Sequence, residues 1–149
     1  MDFDAKKMEL QRAIQAGTLA VECLQSVRTE LHLAEKVWPS DEPGGAFQTT
    51  REQTSRIATA SRYACAAEQF LVTFQEKLTD PSLRIHVAVH ANEFSSFSKT
   101  FLDGILADRV VRSRIQAAAS ACGMMLAAVS ATIAECQRQL SELVHSQGS

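Results

Sequence analysis

The stretch LQRAIQAGTLAVECLQSVRTELHLA, residues 10–34, decides the fold class. Its apolar and small positions are Leu10, Ala13, Ile14, Gly17, Ala20, Val21, Leu24, Val27, Leu31 and Ala34, recurring at steps of three and four. On a helix with about 3.6 residues per turn, that spacing gathers them into one stripe and leaves Gln, Arg, Glu and Thr for the opposite surface. Such a stripe must be buried against another element. Gly17 costs about 1 kcal/mol relative to Ala in a helix interior, so its place in the stripe predicts a close crossing with a second helix.

Reading outward, the first helix spans 3–37 and stops at Trp38-Pro39, because the residue before a proline avoids the α region. Residues 38–49 then read as a loop, with two of the three prolines and two of the six glycines of the chain. A second helix is expected over 50–79. Thr50 and Gln53 have the spacing of a capping box, and the seam is Ile57, Ala60, Ala64, Ala67, Leu71, Phe74 and Leu78, widened by Tyr63 and Phe70. Asp80-Pro81 is a helix start, with Asp as cap and Pro at the first helical position. The third helix spans 81–102 with Leu83, Val87, His90, Phe94, Phe97 and Phe101 as its seam. Gly104 is expected to end it and Asp108 to cap the fourth. That last helix spans 109–145 on Val111, Ile115, Ala118, Cys122, Met125, Val129, Ile133, Cys136, Leu140 and Leu143. No segment shows sustained period-two alternation.

Long amphipathic helices with short joints imply an antiparallel four-helix bundle, all-α, with long first and last helices and a single domain over 1–149. The seam phase does not reset at Gly104, so helices three and four share the register of one rod. At 1.5 Å per residue that rod would reach about 97 Å, more than a monomer of this size covers. The small Gly104 and polar Asp108 at seam positions favour a hairpin.

The balance of 15 basic and 17 acidic residues gives a net charge of −2, and 46% of residues are hydrophobic. No segment is strongly polarised, which argues against nucleic acid as a partner. Cys23, Cys65, Cys122 and Cys136 make no C-x-x-C pair and fit no zinc spacing. They read as reduced thiols of a cytoplasmic protein. The start, MDFDAKK, lacks an apolar signal core. The most apolar run, Ile115 to Ile133, keeps a helical face pattern and is expected to be a buried helix, so no membrane span is expected.

The most chemical cluster is His86, His90 and Glu93, on one helix face at steps of four and three. A His-x3-His pair with a following carboxylate offers ligands to a transition metal. No Glu-x-x-His pair of the di-metal bundles occurs. Met124-Met125 lies among alanines, as a gap filler or as the lining of an apolar pocket. Arg109, Arg112 and Arg114 form the densest basic run. No nucleophile elbow or phosphate-cradling glycine motif is present, so neither an enzyme nor a cofactor is expected. The resulting expectation is a protein–protein interaction module that self-associates, with Trp38, Phe47, Arg109 and Arg112 as partner contacts. The alternative is a sensor bundle for a small ligand or metal, with a cavity among His90, Phe94, Phe97 and Met125.

Overall fold

Four helices, α1 (Phe3–Lys36), α2 (Arg51–Lys77), α3 (Pro81–Ile105) and α4 (Arg112–Gly148), make up most of the molecule. This computed structural model describes residues 3–36, 46–48, 51–105 and 109–148. The first and last helices are the longest, at 34 and 37 residues. α1 packs on α2 and α4, and α3 packs on the same two from the other side. Directions follow from cross-helix pairs. Arg56 meets Glu30 while Phe74 approaches Gly17, so α2 runs against α1. Gln116 meets Glu35 and Cys122 meets Leu24, while Ile133 approaches Gly17, so α4 also runs against α1. α3 ends at Ile105 and α4 turns back along it, which makes the pair a hairpin and not a rod.

The core is the stripe read from sequence. Leu10, Ala13, Gly17, Ala20, Leu24, Val27, Leu31 and Ala34 are all buried on α1, with Ile14 and Val21 packed at its edges. Ile57, Leu71 and Phe74 of α2 and Ile115, Met125 and Val129 of α4 close the centre. Burying such a side chain contributes about 1.5–3 kcal/mol. A Cβ on Gly17 would stand 2.8 Å from Ile133 Cγ1 and 2.9 Å from Phe74 Cε1. The missing methyl is thus the space that lets one side chain from each neighbouring helix meet over α1.

The α2–α3 joint is built as its sequence predicts. The Asp80 carboxylate accepts from the Ser82 amide at 3.0 Å and from the Ser82 hydroxyl at 2.8 Å, which holds its pKa below the usual carboxylate range. Arg84 donates from Nε and Nη2 to the Leu78 carbonyl, at 3.1 and 2.7 Å, and so covers the open end of α2. Helix bounds otherwise shift by a few residues: α2 stops at Lys77, and α3 runs through Gly104 to Ile105 instead of ending there.

Three expectations are corrected. First, Ala46–Gln48 is a strand (β1) inside the stretch read as loop, and Arg109–Val111 is a strand (β2) where helix four was expected to begin. They pair antiparallel in the register Ala46↔Val111, Phe47↔Val110, Gln48↔Arg109. Three residues are too few to show alternation, and each strand exists only because the other end of the chain supplies its partner. Second, among the described side chains the buried line of α3 is Val87, Phe94 and Ser98, so His90 lies beside the seam, half-buried. Ala91, packed against the core, lets α3 sit close, while the polar imidazole keeps to the solvent edge. Third, Tyr63, placed in the α2 seam, is exposed. Ile133 keeps its place in the α4 seam, packed against the core and over Gly17, beside the buried Thr132, whose hydroxyl donates to the Ala128 carbonyl at 2.9 Å. Thr50, Asp108 and the side chains of Gln53, Phe97 and Phe101 lie outside the described residues.

Candidate functional site

α3 and α4 part along one side to leave a cleft of about 170 Å³, lined by His90, Glu93, Phe94, Ala121, Met124 and Met125. It opens where the small Ala121 of α4 leaves room beside α3. Phe94 and Met125 form a buried floor, and Met124, 56% exposed, stands at the rim. His90, Phe94 and Met125 are three of the four residues that spacing assigned to a cavity; the side chain of the fourth, Phe97, lies outside the described residues. Met124, read with Met125 as a gap filler or a pocket lining, and Glu93, read with the histidines, also line the cleft, and Ala121 alone carried no sequence signal. The volume suits a group of about benzene size and falls below the usual range for a drug-sized ligand.

Of the His86, His90 and Glu93 trio, His90 and Glu93 line the α3 side of this cleft, and His86 lies one turn before His90, outside it. The two imidazoles meet edge to face with centroids 4.9 Å apart at 75°. His90 Nδ1 is 3.9 Å from Glu93 Oε2, and the carboxylate is 65% exposed against 27% for the imidazole. Among the described residues, no group of three His, Cys, Asp or Glu side chains is arranged to hold a metal ion. The cysteines do not add to the site. Cys122 is buried and its Sγ lies 3.1 Å from the Leu24 carbonyl, with burial pushing its thiol up to about 11. Burial also raises Cys136 and Cys23, helped by the nearby acids Glu135 and Glu22. A thiol with a raised pKa is a poor nucleophile at neutral pH.

The expected partner contacts divide. Trp38 lies outside the described residues. Phe47 and Arg109 are brought into one ladder by β1 and β2, and Arg112 follows as the first residue of α4. Residues distant in sequence thus share the end of the bundle where α3 gives way to α4. Their side chains lie outside the described residues.

Two larger grooves border the outer face of α1, and sequence reading missed both. One, of about 620 Å³, is lined by Gln25, Arg28, Thr29, His32, Leu33, Glu35 and Ala119. Its Arg28, His32 and Glu35 repeat the four-then-three spacing of the α3 trio, the one signal that pointed there. The Glu35 carboxylate already accepts from Gln116 at 2.9 Å. The other, of about 350 Å³, lies beside Glu22, Ser26, Glu30 and Tyr63.

The outward face of α4 is the most distinctive surface. No charged residue occurs from Ile115 to Ala134, yet Ala117, Ser120, Met124, Ala127, Ala131 and Ala134 face solvent there. Arg114–Ser146 has the length and composition of a membrane span, with a window of mean hydropathy 1.7 of which 39% is buried. On α3, Ile85 and Val89 are also exposed, one turn apart. No family model, curated protein or solved structure matches the chain.

Proposed function

We propose that this protein is a cytoplasmic, non-enzymatic protein–protein interaction module that pairs with a second copy of itself through the outward face of α4. The charge-free exposed stripe from Ala117 to Ala134 carries this reading, because surface helices ordinarily face water with charged residues. Its ends favour a like partner. Arg114 stands before the stripe, and Glu135, Arg138 and Glu142 follow it with a net negative charge. An antiparallel copy sets the basic end of each helix against the acidic end of the other, the self-complementary contact of a two-fold dimer. Alanines at the centre allow close approach, and Met124 fills what remains. On this reading α4 is a shared core helix and spans no membrane, and nucleic acid is not a partner.

Light scattering at micromolar concentration tests it. The expected mass is twice the 16.3 kDa of the chain, falling to one chain in Ala127→Arg, whose site faces solvent and leaves the fold intact by circular dichroism. A wild-type monomer at that concentration, or an Ala127→Arg dimer, refutes the reading. The α3–α4 cleft favours a second one, a sensor bundle for a small apolar ligand. It predicts that Phe94→Ala and Met125→Ala weaken ligand retention seen by native mass spectrometry.

A further inference from the structure

We infer that His86 and His90 form a two-imidazole chelate for a divalent transition ion, with Glu93 acting as a positioning residue and not as a ligand. Residues four apart on a helix hold their Cβ atoms about 5–6 Å apart, and here the two rings already lie with centroids 4.9 Å apart. Metal–nitrogen bonds of about 2.0–2.1 Å are reached from that separation by side-chain rotation alone, with the helix undisturbed. His86 is exposed and His90 half-buried, so an ion enters from solvent and keeps water in its remaining positions.

Glu93 decides which nitrogen binds. Its Oε2 lies 3.9 Å from His90 Nδ1, outside hydrogen-bond distance, and rotation of this 65% exposed carboxylate onto the ring as the ion binds would hold the proton on Nδ1 and leave the Nε2 lone pair to the ion. A carboxylate behind the non-ligating nitrogen is the usual support of a metal-bound imidazole. The remaining histidines offer no such pair. His32 stands with Arg28 and Glu35 in the α1 groove, and His145 lies near the end of α4. Imidazole donors without thiolate suit Cu²⁺, Ni²⁺ and Zn²⁺, with Cu²⁺ bound most tightly.

Calorimetric titration of the full chain with CuCl₂ and with ZnCl₂, in a buffer that does not chelate, tests the site. One ion per chain is expected, tighter for copper. His86→Ala and His90→Ala each weaken binding at least tenfold, while His145→Ala leaves it unchanged. Glu93→Gln weakens it about tenfold, at the low end of the loss for such supporting groups, without changing the stoichiometry. The electron paramagnetic resonance spectrum of the copper form shows two nitrogen donors, reduced to one in His86→Ala. All four variants keep the helical circular dichroism of the parent. Binding that survives both histidine changes, a copper spectrum without nitrogen coupling, or no binding of either ion overturns the inference. A Glu93→Gln variant that binds as tightly as the parent overturns the role of that carboxylate.

Discussion

α1 and α3 are both amphipathic helices in one bundle, but they are held differently. α1 buries nine residues along its full length and has α2 and α4 against it. α3 buries Val87, Phe94 and Ser98 among its described side chains, and leaves Ile85 and Val89 in water. The seam of α1 is mostly Ala and Leu, so its neighbours approach closely and interlock around Gly17. The described seam of α3 mixes a polar Ser with a Phe, and its His pair lies beside that seam, His86 exposed and His90 half-buried. Stability is therefore concentrated where α1 packs on α2 and on α4. α3 is the helix with side chains to spare, and both the cleft wall and the paired imidazoles belong to it.

The largest test of this contrast is truncation on either side of it. Phe74→Ala empties the junction of α1, α2 and α4 and is expected to cost about 3–5 kcal/mol. Leu83→Ala on α3, only partly buried, is expected to cost about 1 kcal/mol. Urea unfolding measures both, and equal losses would erase the distinction between the two regions.

The two described glycines of the helix interiors give a sharper and smaller test, because they should move in opposite directions. At Gly17 the gain of about 1 kcal/mol in helix propensity is outweighed by pushing Ile133 and Phe74 apart, since overpacking costs about 1–3 kcal/mol. Gly17→Ala is thus expected to lower the denaturant midpoint. At Gly123 an added Cβ meets nothing within 4 Å, so Gly123→Ala is expected to stabilise by about 0.5–1 kcal/mol. Midpoints that shift the same way would contradict the packing of α1 against α4.

Smaller still, Ile85→Ser at an exposed site of α3 should change stability by no more than about 0.5 kcal/mol, read from the same unfolding curves. A larger loss would mean that the outer face of α3 is covered in solution.

The smallest effect is electrostatic and lies on the surface of α4. Arg138 hydrogen-bonds Glu135, and with Gln139 it holds that carboxyl at about 2 instead of 4.5. A depressed folded-state value means that the contribution is present above about 4.5 and is lost as pH falls toward about 2. Because the pair is solvent-exposed, its effect on stability is slight. Arg138→Ala should return the Glu135 titration, followed by carboxyl NMR, toward the ordinary range.

Much of this architecture was legible in the chain. The stripes of α1 and α2, the Asp80 cap and the hairpin of α3 and α4 depend on side chains three or four positions apart, or on one residue and its neighbour; the end of α3, expected at Gly104, falls at Ile105. Five of the six cleft residues, all but Ala121, were singled out in the chain by spacing or residue type. His90 was placed one step too deep, because spacing does not show that α3 turns Ala91 inward. The outer grooves of α1 were missed because a groove needs the neighbouring helix to be in place.

The sequence by itself determined that four rods would form and which side of α1, α2 and α4 would turn from water, since a period near 3.6 is written within each segment. Only the tertiary structure decided that Ala46–Gln48 would pair with Arg109–Val111, that the polar Thr132 would be buried beside Ile133, and that Gly17 is enclosed while Gly123 is open. Each of those depends on how one helix is rotated and raised against another. That docking is set by side chains far apart in the chain, meeting at contact distance.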